Sequence, residues 1–198
     1  MTRKETKDKR VSDILDAAIT EFVDKGYESA SMESIAARAG ITKGGVYYHF
    51  KGKDDILIKA NERFMEPIIS FMADARSLPS PADGLARYIR NYLEYWTGHH
   101  RELIFIFLTL TKTMAEPGLW RLYSGYTAHC TGFFEELYRS GVQAGEFREF
   151  DYGAVSLALM AALDGITAYI VMDDTLSPDR AIDCYEEAFI HTYRKGHP

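Results

Sequence analysis

The chain is expected to be all-α, with about nine helices split between a small N-terminal three-helix unit, residues 1–52, and a larger C-terminal helical domain, residues 53–198. Three observations lead there. Apolar residues recur at steps of three and four almost throughout, without a convincing run of alternating apolar and polar residues between turn signals. Glycines and Ser-Pro pairs punctuate those runs where helices should end and begin. The composition, 46% apolar and 26% charged, is that of a chain that folds and lies far from the low-hydrophobicity, high-charge regime of disorder.

In the first helix Val11, Ile14, Leu15, Ala18, Ile19 and Phe22 share one face, and Gly26 offers a left-handed C-terminal cap. Tyr27 opens a short linker. Ser31 is placed to cap a second helix of about eight residues, with Glu33 in its first turn, Ile35, Ala36 and Ala39 facing inward, and Gly40 ending it. A third helix starts at Thr42 or Lys43 and runs to about Phe50. Gly52 separates it from a fourth, which begins near Lys53 and carries Ile56, Leu57, Ala60, Phe64 and Met65. Pro67 should kink or interrupt that helix before it ends near Ala75, because proline removes a backbone donor and clashes with the preceding turn. After the loop at 77–81, in which Ser80-Pro81 reads as a cap and first turn, helices are expected at 83–96, 101–114, 119–140, 151–172 and 178–195. Ser177-Pro178 repeats the start signal for the last.

The net charge of −6 conceals an asymmetry: residues 1–53 hold 10 Lys/Arg against 8 Asp/Glu, and the remainder 13 against 21. A polyanion partner therefore belongs to the N-terminal part. There Arg3, Lys4, Lys7, Lys9 and Arg10 form a basic leader, read either as a solvated tail or as a phosphate-contacting arm. Cys130 and Cys184 stand far apart without metal-ligand spacing, so neither a disulfide framework nor a metal site is expected, and a cytoplasmic setting fits. No apolar stretch of the signal-peptide kind follows the charged N-terminus. The stretch 154–172 is long enough to span a bilayer. However, Asp164 near its centre costs about 2.5–3.5 kcal/mol on insertion scales, and the flanks at Asp151 and Asp173-Asp174 are acidic, so it reads as a buried helix.

Three short helices in the N-terminal part, with Gly40 in the turn between the second and third, have the order of a helix-turn-helix. The third, Thr42-Lys43-Gly44-Gly45-Val46-Tyr47-Tyr48-His49-Phe50, combines adjacent glycines with three consecutive polar-tipped rings. Each glycine weakens a helix by roughly 1 kcal/mol relative to alanine, so close approach of the backbone to another surface explains the pair better than folding does. Val46 and Phe50, four apart, are placed to pack on the first two helices and leave the polar residues facing a groove and its phosphate walls. Phe50 reads mainly as core, Tyr47 as core and contact alike, and His49 as a contact or a satisfied surface histidine. The run Phe22, Gly26-Tyr27, Ser31-Met32, Ile35-Ala36, Ala39-Gly40-Ile41, Lys43-Gly44, Val46-Tyr47-Tyr48-His49-Phe50-Lys51 and Lys53 resembles the N-terminal signature of TetR (tetracycline-repressor) regulators. That resemblance implies Lys43 and Gly44 near base edges, Tyr47, Tyr48 and His49 on phosphates or sugars, and Lys53 on a phosphate at the start of the fourth helix. Thr42 and Ser34 are further phosphate candidates, and Gly45 completes the DNA-facing set.

Helices five to seven are rich in rings, most of which are simply core at helical spacing. Tyr88, Tyr92 and Trp96 nevertheless form one stripe at steps of four, and Tyr123 and Tyr126 another. Buried tyrosine hydroxyls need partners, so an apolar ligand cavity lined by Tyr88, Tyr92, Trp96, Phe107, Tyr123 and Tyr126 is expected. Asp164, alone in an apolar helix, either contacts a cationic or hydroxylated ligand or makes a structural hydrogen bond to a helix terminus or a tyrosine. Asn91, Thr109, Thr113 and His129 are weaker pocket candidates. The adjacent His99-His100 point about 100° apart on a helix and read as its end rather than as metal ligands. Helix eight is apolar nearly all round, and helix nine carries Ala181, Ile182, Tyr185, Ala188, Phe189 and Thr192 on one stripe. Together they suggest a homodimer interface, with Ala158, Ala161, Ala162 and Gly165 permitting close approach.

The resemblance thus implies a ligand-responsive, DNA-binding transcriptional regulator of double-stranded operator DNA. The expected form is a repressor that holds a pseudo-palindrome as a dimer, with reading helices about 34 Å apart, and leaves it when a small hydrophobic or aromatic effector binds; activation stays open to the same scaffold. No cofactor is expected besides that effector, and no membrane partner. An enzyme is disfavoured by the lack of a Gly-rich phosphate loop, nucleophile elbow or metal-binding spacing. A helical interaction protein is the remaining alternative, against which the ring-and-glycine third helix speaks.

Overall fold

The computed structural model describes residues 3–115, 117–173 and 175–196. Asp174 lies outside them, as do the side chains of Arg3, Lys4 and Thr113. Among the described residues nine α-helices follow in order: α1 (Arg3–Lys25), α2 (Met32–Arg38), α3 (Lys43–His49), α4 (Lys53–Arg76), α5 (Pro81–Gly98), α6 (His100–Ala115), α7 (Pro117–Gln143), α8 (Tyr152–Met172) and α9 (Pro178–Phe189). A 3-10 turn, His191–Tyr193, closes the chain's last described segment. Two compact units result: Met1–Met65 with Ile104–Trp120, and Glu66–Leu103 with Arg121–Pro198. Helices α4, α6 and α7 therefore each contribute to both.

In the first unit Ile14, Ala18 and Phe22 of α1 are fully buried, along with Ile35 of α2, Val46 of α3 and Ile56, Leu57 and Ala60 of α4. The expected core face of α1 is present, but the helix starts at Arg3, so the basic leader forms its first turns. Phe105 of α6 enters the same core, with its ring 5.9 Å from Phe22 and 5.5 Å from Phe64. Such ring pairs add attraction beyond the area they remove from water. Lys112, further along α6, sits 3.3 Å from Asp54 at the start of α4.

The second unit is built on α5, whose Leu85, Tyr88, Ile89, Tyr92 and Leu93 are buried among α7, α8 and α9 residues. Side chains cap α5, α8 and α9 at Ser80, Asp151 and Ser177, and proline follows Ser80 and Ser177 as expected. Three expectations change. Helix α4 runs through Pro67 as one element, its later half held by buried Ile68, Met72 and Ala75, so the lost donor does not end it. Helix α9 stops at Phe189 rather than near 195, because the following residues pair with the segment after α7: Arg148 N donates to Tyr193 O at 3.0 Å and Lys195 N to Glu146 O at 2.9 Å. Helix α8 is long and apolar enough to cross a membrane by length and composition, yet only one side of it is buried within the chain.

Candidate nucleic-acid interface and effector cluster

Local chemistry sets the geometry of α2 and α3. Ser31 Oγ accepts from Ser34 N and Ser34 Oγ accepts from Ser31 N, both at 3.1 Å, a reciprocal cap that uses Ser34 structurally. Gly40 takes φ +66°, a left-handed conformation that costs a residue with a Cβ about 1–2 kcal/mol. That turn lets Ile41 N donate back to Ala36 O at 3.0 Å and swings the chain into α3. Thr42 Oγ1 then accepts from Gly45 N at 3.1 Å, so Thr42 is the cap of α3. Arg38 clamps α2 to α1 through Glu21 at 2.6 Å and Asp24 at 3.0 Å, while Lys25 reaches Glu21 at 2.7 Å. Burial alone would raise the Glu21 carboxyl, but its bonds to Lys25, Ser34 and Arg38 bring it down to about 2.

With Val46 fully buried and Phe50 nearly so, the opposite side of α3 is left to solvent: Tyr47 is 51% exposed and Tyr48 75%. Lys43 is more than half exposed and only 3.8 Å from Glu33 in a loose pair. A Cβ at Gly44 would meet nothing nearer than Thr42 Oγ1 at 3.9 Å, and one at Gly45 would make ordinary contacts with Thr42 and Ile41 at 3.4–3.5 Å. The fold itself therefore has room for alanine at Gly44. His49 is half-buried, with Nδ1 lacking a hydrogen-bond partner, and burial followed by the charges of Lys7 and Arg10 lowers its pKa. Those cations consequently flank the C-terminal end of α3. Sequence reasoning placed both in the leader but not in the site; their i, i+3 spacing ahead of buried Ile14 was the available signal. Lys53 donates to Tyr27 O at 2.8 Å and Glu28 O at 3.2 Å and lies over the Tyr27 ring, so it also holds the linker after α1.

In the second unit, Tyr88, Tyr92 and Trp96 do share one stripe of α5, with successive ring separations of 6.2 and 6.3 Å. Tyr88 also packs 5.2 Å from Phe133 and 5.1 Å from Phe134 of α7. Two buried polar atoms, Tyr88 Oη and Trp96 Nε1, lack a well-formed hydrogen bond, although Cys130 and Tyr126 approach the former and Tyr92 the latter. The charge of Asp164 on α8 adds to what raises Tyr92, Tyr123 and Cys130. Contrary to the sequence reading, its side chain is solvent-exposed, beside Ala161 and Gly165, while its backbone carbonyl accepts from Thr167 Oγ1 at 2.6 Å. Burial raises Asp164 to about 6, Cys130 to about 11 and Tyr123 to about 12. Phe107 stands elsewhere: it is exposed on the α6 segment that belongs to the first unit. Among the weaker candidates, Asn91 bonds Asp74 at 3.1 Å, Thr109 bonds its own helix at Phe105 O, and His129 is exposed. His99 ends α5, with Nδ1 2.6 Å from Tyr95 O.

Residues 14–60 match the family model for bacterial regulatory proteins of the tetR family, and residues 81–191 match that for the C-terminal part of BetI-type transcriptional repressors. The chain belongs to the TetR family. It is 28% identical over 165 residues to the fatty acid metabolism regulator protein of Bacillus subtilis, covering 81% of this chain and 83% of that one. It is 26% identical over 180 residues to the transcriptional activator FasR of Mycolicibacterium smegmatis, covering 89% and 80%. Among solved structures, the SmeT–triclosan complex superposes with a TM-score of 0.78 at 21% identity over 95% of this chain and 93% of that one; SmeT is described as the repressor of a Stenotrophomonas maltophilia multidrug efflux pump. As a TetR-family member the chain is a ligand-responsive, DNA-binding transcriptional regulator and not an enzyme.

One more surface of this TetR chain stands out. Leu157, Tyr169 and Met172 of α8 are 60–73% exposed, and Ala158, Ala161 and Gly165 lie bare beside them. Nothing stands within 4 Å of where a Gly165 Cβ would be. The α9 stripe divides: Ala181 and Ile182 are buried in this chain's own core and Tyr185 donates to Ala162 O at 2.6 Å, which leaves Cys184 and Ala188 facing outward.

Proposed function

We propose that this regulator is a repressor that grips a pseudo-palindromic operator as a homodimer and lets go when a small hydrophobic or aromatic effector enters its second unit. In this reading residues 1–52 are the DNA-reading head and residues 53–198 the effector and dimerisation domain. The observation that carries it is α3: a helix whose outward side offers two exposed phenols, a bare backbone at Gly44 and an exposed ammonium held only by a loose pair with Glu33. Phosphate contacts from Tyr47, Tyr48, Thr42 and His49 would set register, helped by Lys7 and Arg10, and Lys43 would donate to a base edge such as guanine O6 or N7. Ser34 and Lys53 would reach phosphates beside their structural bonds. Repression rather than activation is favoured by the match over 81–191 to BetI-type repressors.

Dimerisation is assigned to the apolar outward face of α8 together with the outward side of α9, which supports a four-helix, two-fold contact. Helices α4 and α6 each run from one compact unit into the other, so rearrangement around an effector in the second unit has a direct covalent route to the head. A DNA-binding regulator of this kind works in the cytoplasm. Gel-shift titration on the DNA upstream of its own gene tests the reading. Nanomolar binding that competitor DNA of random sequence does not abolish is expected, and binding indistinguishable from that to random DNA would overturn it.

A further inference from the structure

The bare side of α8 is apolar with one exception. Asp164 is the sole charged residue between Tyr152 and Met172, and it stands exposed on the same side as Leu157, Ala161, Gly165, Tyr169 and Met172. A carboxylate covered by a second copy loses its water, so the covering surface must return a cation to it. The outward side of α9 carries one. Exposed residues of α9 fall into two rows at steps of four: Asp179, Asp183 and Glu187 in one, Arg180, Cys184 and Ala188 in the other. At about 100° per residue the second row lies between the acidic row and Tyr185, whose hydroxyl donates to Ala162 O. Arg180 therefore borders the bare side of α8. Among the described residues neither Asp164 nor Arg180 has an ion-pair partner.

The bond between Tyr185 and Ala162, 23 residues apart, shows α9 doubling back along α8. Measured from that bond toward the C-terminal end of α8, Asp164 lies about 3 Å and Arg180 about 7.5 Å along the axis, at about 1.5 Å per residue. Gly165 falls between those two levels, beside the middle of the bare stripe from Leu157 to Met172, and has open space where its Cβ would be. We propose that the two-fold axis of the dimer passes at Gly165 and that Asp164 of each copy pairs there with Arg180 of the partner subunit. This assignment rests on the dimer reading given above and names the contacts that set its register. A face with one anion and one cation on either side of its two-fold centre is complementary to itself, because the rotation that joins the copies exchanges the two signs. Sliding the copies by one helical turn parts both pairs and leaves four charges covered and unmatched, which selects this register over its neighbours.

Charge reversal tests the pair. Both residues are exposed in the single chain, so Asp164→Arg, Arg180→Asp and the double reversal should fold alike, which circular dichroism checks. In sedimentation equilibrium on the full-length protein each single reversal should weaken the dimer by about tenfold or more, since two like-charge contacts replace two ion pairs. The double reversal should restore it to within about threefold of the wild type, far from the sum of the two single effects. Asp164→Asn, which keeps the shape and removes the charge, should weaken the dimer as well. Single reversals without effect, a double reversal as weak as the two singles added together, or an Asp164→Asn dimer tighter than the wild type would each overturn the pairing and leave the dimer in place. A wild-type chain that stays monomeric at every concentration would instead remove the dimer reading, and the pairing with it.

Discussion

Gly44 is where the fold and the function pull apart. Alanine there meets open space on the protein side, with its nearest neighbour 3.9 Å away, so Gly44→Ala should stabilise the head by up to about 1 kcal/mol through helix propensity. If the bare backbone exists to approach a groove, the same change should weaken operator binding by about tenfold or more, roughly 1.4 kcal/mol. Thermal unfolding and gel shift on one variant read both. Asp164 makes a second test. Its folded pKa of about 6 lies above the ordinary 3.8, so the carboxyl is bound to a proton more tightly in the folded chain. Its contribution to stability is then full below about pH 3.8 and is lost as pH rises through about 6. In the dissociated chain, where no partner faces it, Asp164→Asn should therefore raise the melting temperature at pH 8 and change it little at pH 4. Residues whose role is written in local chemistry were legible from sequence: Ser31 as a cap, Gly26 as a left-handed turn, Gly40 as the end of α2, Val46 and Phe50 as core. Those whose role depends on distant partners were not. Lys53 binds carbonyls 25 and 26 residues away, and Phe107 turns out on α6 because Phe105, two positions earlier, takes the core.

At the level of elements, α6 decides how the head is held. Its Phe105 ring lies between Phe22 of α1 and Phe64 of α4, and Lys112 reaches Asp54, whose other partner is the Tyr27 hydroxyl. Removing that ring should cost about 3–5 kcal/mol, the range for burying a cavity in place of a large aromatic side chain. Urea unfolding of Phe105→Ala measures it; a loss under 1 kcal/mol would show that α6 is not part of the head's core. Helix order and number were readable because apolar spacing of three and four persists along each helix. The end of α9 was not, since Phe189 and Thr192 continue the helical pattern and the stop comes from pairing between Arg148 and Tyr193, contacts made across more than forty residues. That α8 is apolar nearly all round was readable, but which of its sides the chain's own core takes was not, because periodicity does not name a helix's neighbours.

For the whole molecule, the proposed dimer presents two heads to successive turns of a duplex by covering the bare face of α8 with a second copy. Ala161→Arg places a charge on that face without touching the chain's own core and should give a helical monomer in sedimentation experiments, with operator affinity lowered by at least a hundredfold. A dimer that persists would move the interface elsewhere. The central claim, that α3 lies in a groove with its ammonium and phenols on the DNA, is tested most directly by operator affinity measured against salt concentration for Lys43→Ala combined with Tyr48→Ala. A dimer that still folds should bind much more weakly, with a salt dependence shallower by about one unit of slope. Unchanged affinity and an unchanged slope would contradict it.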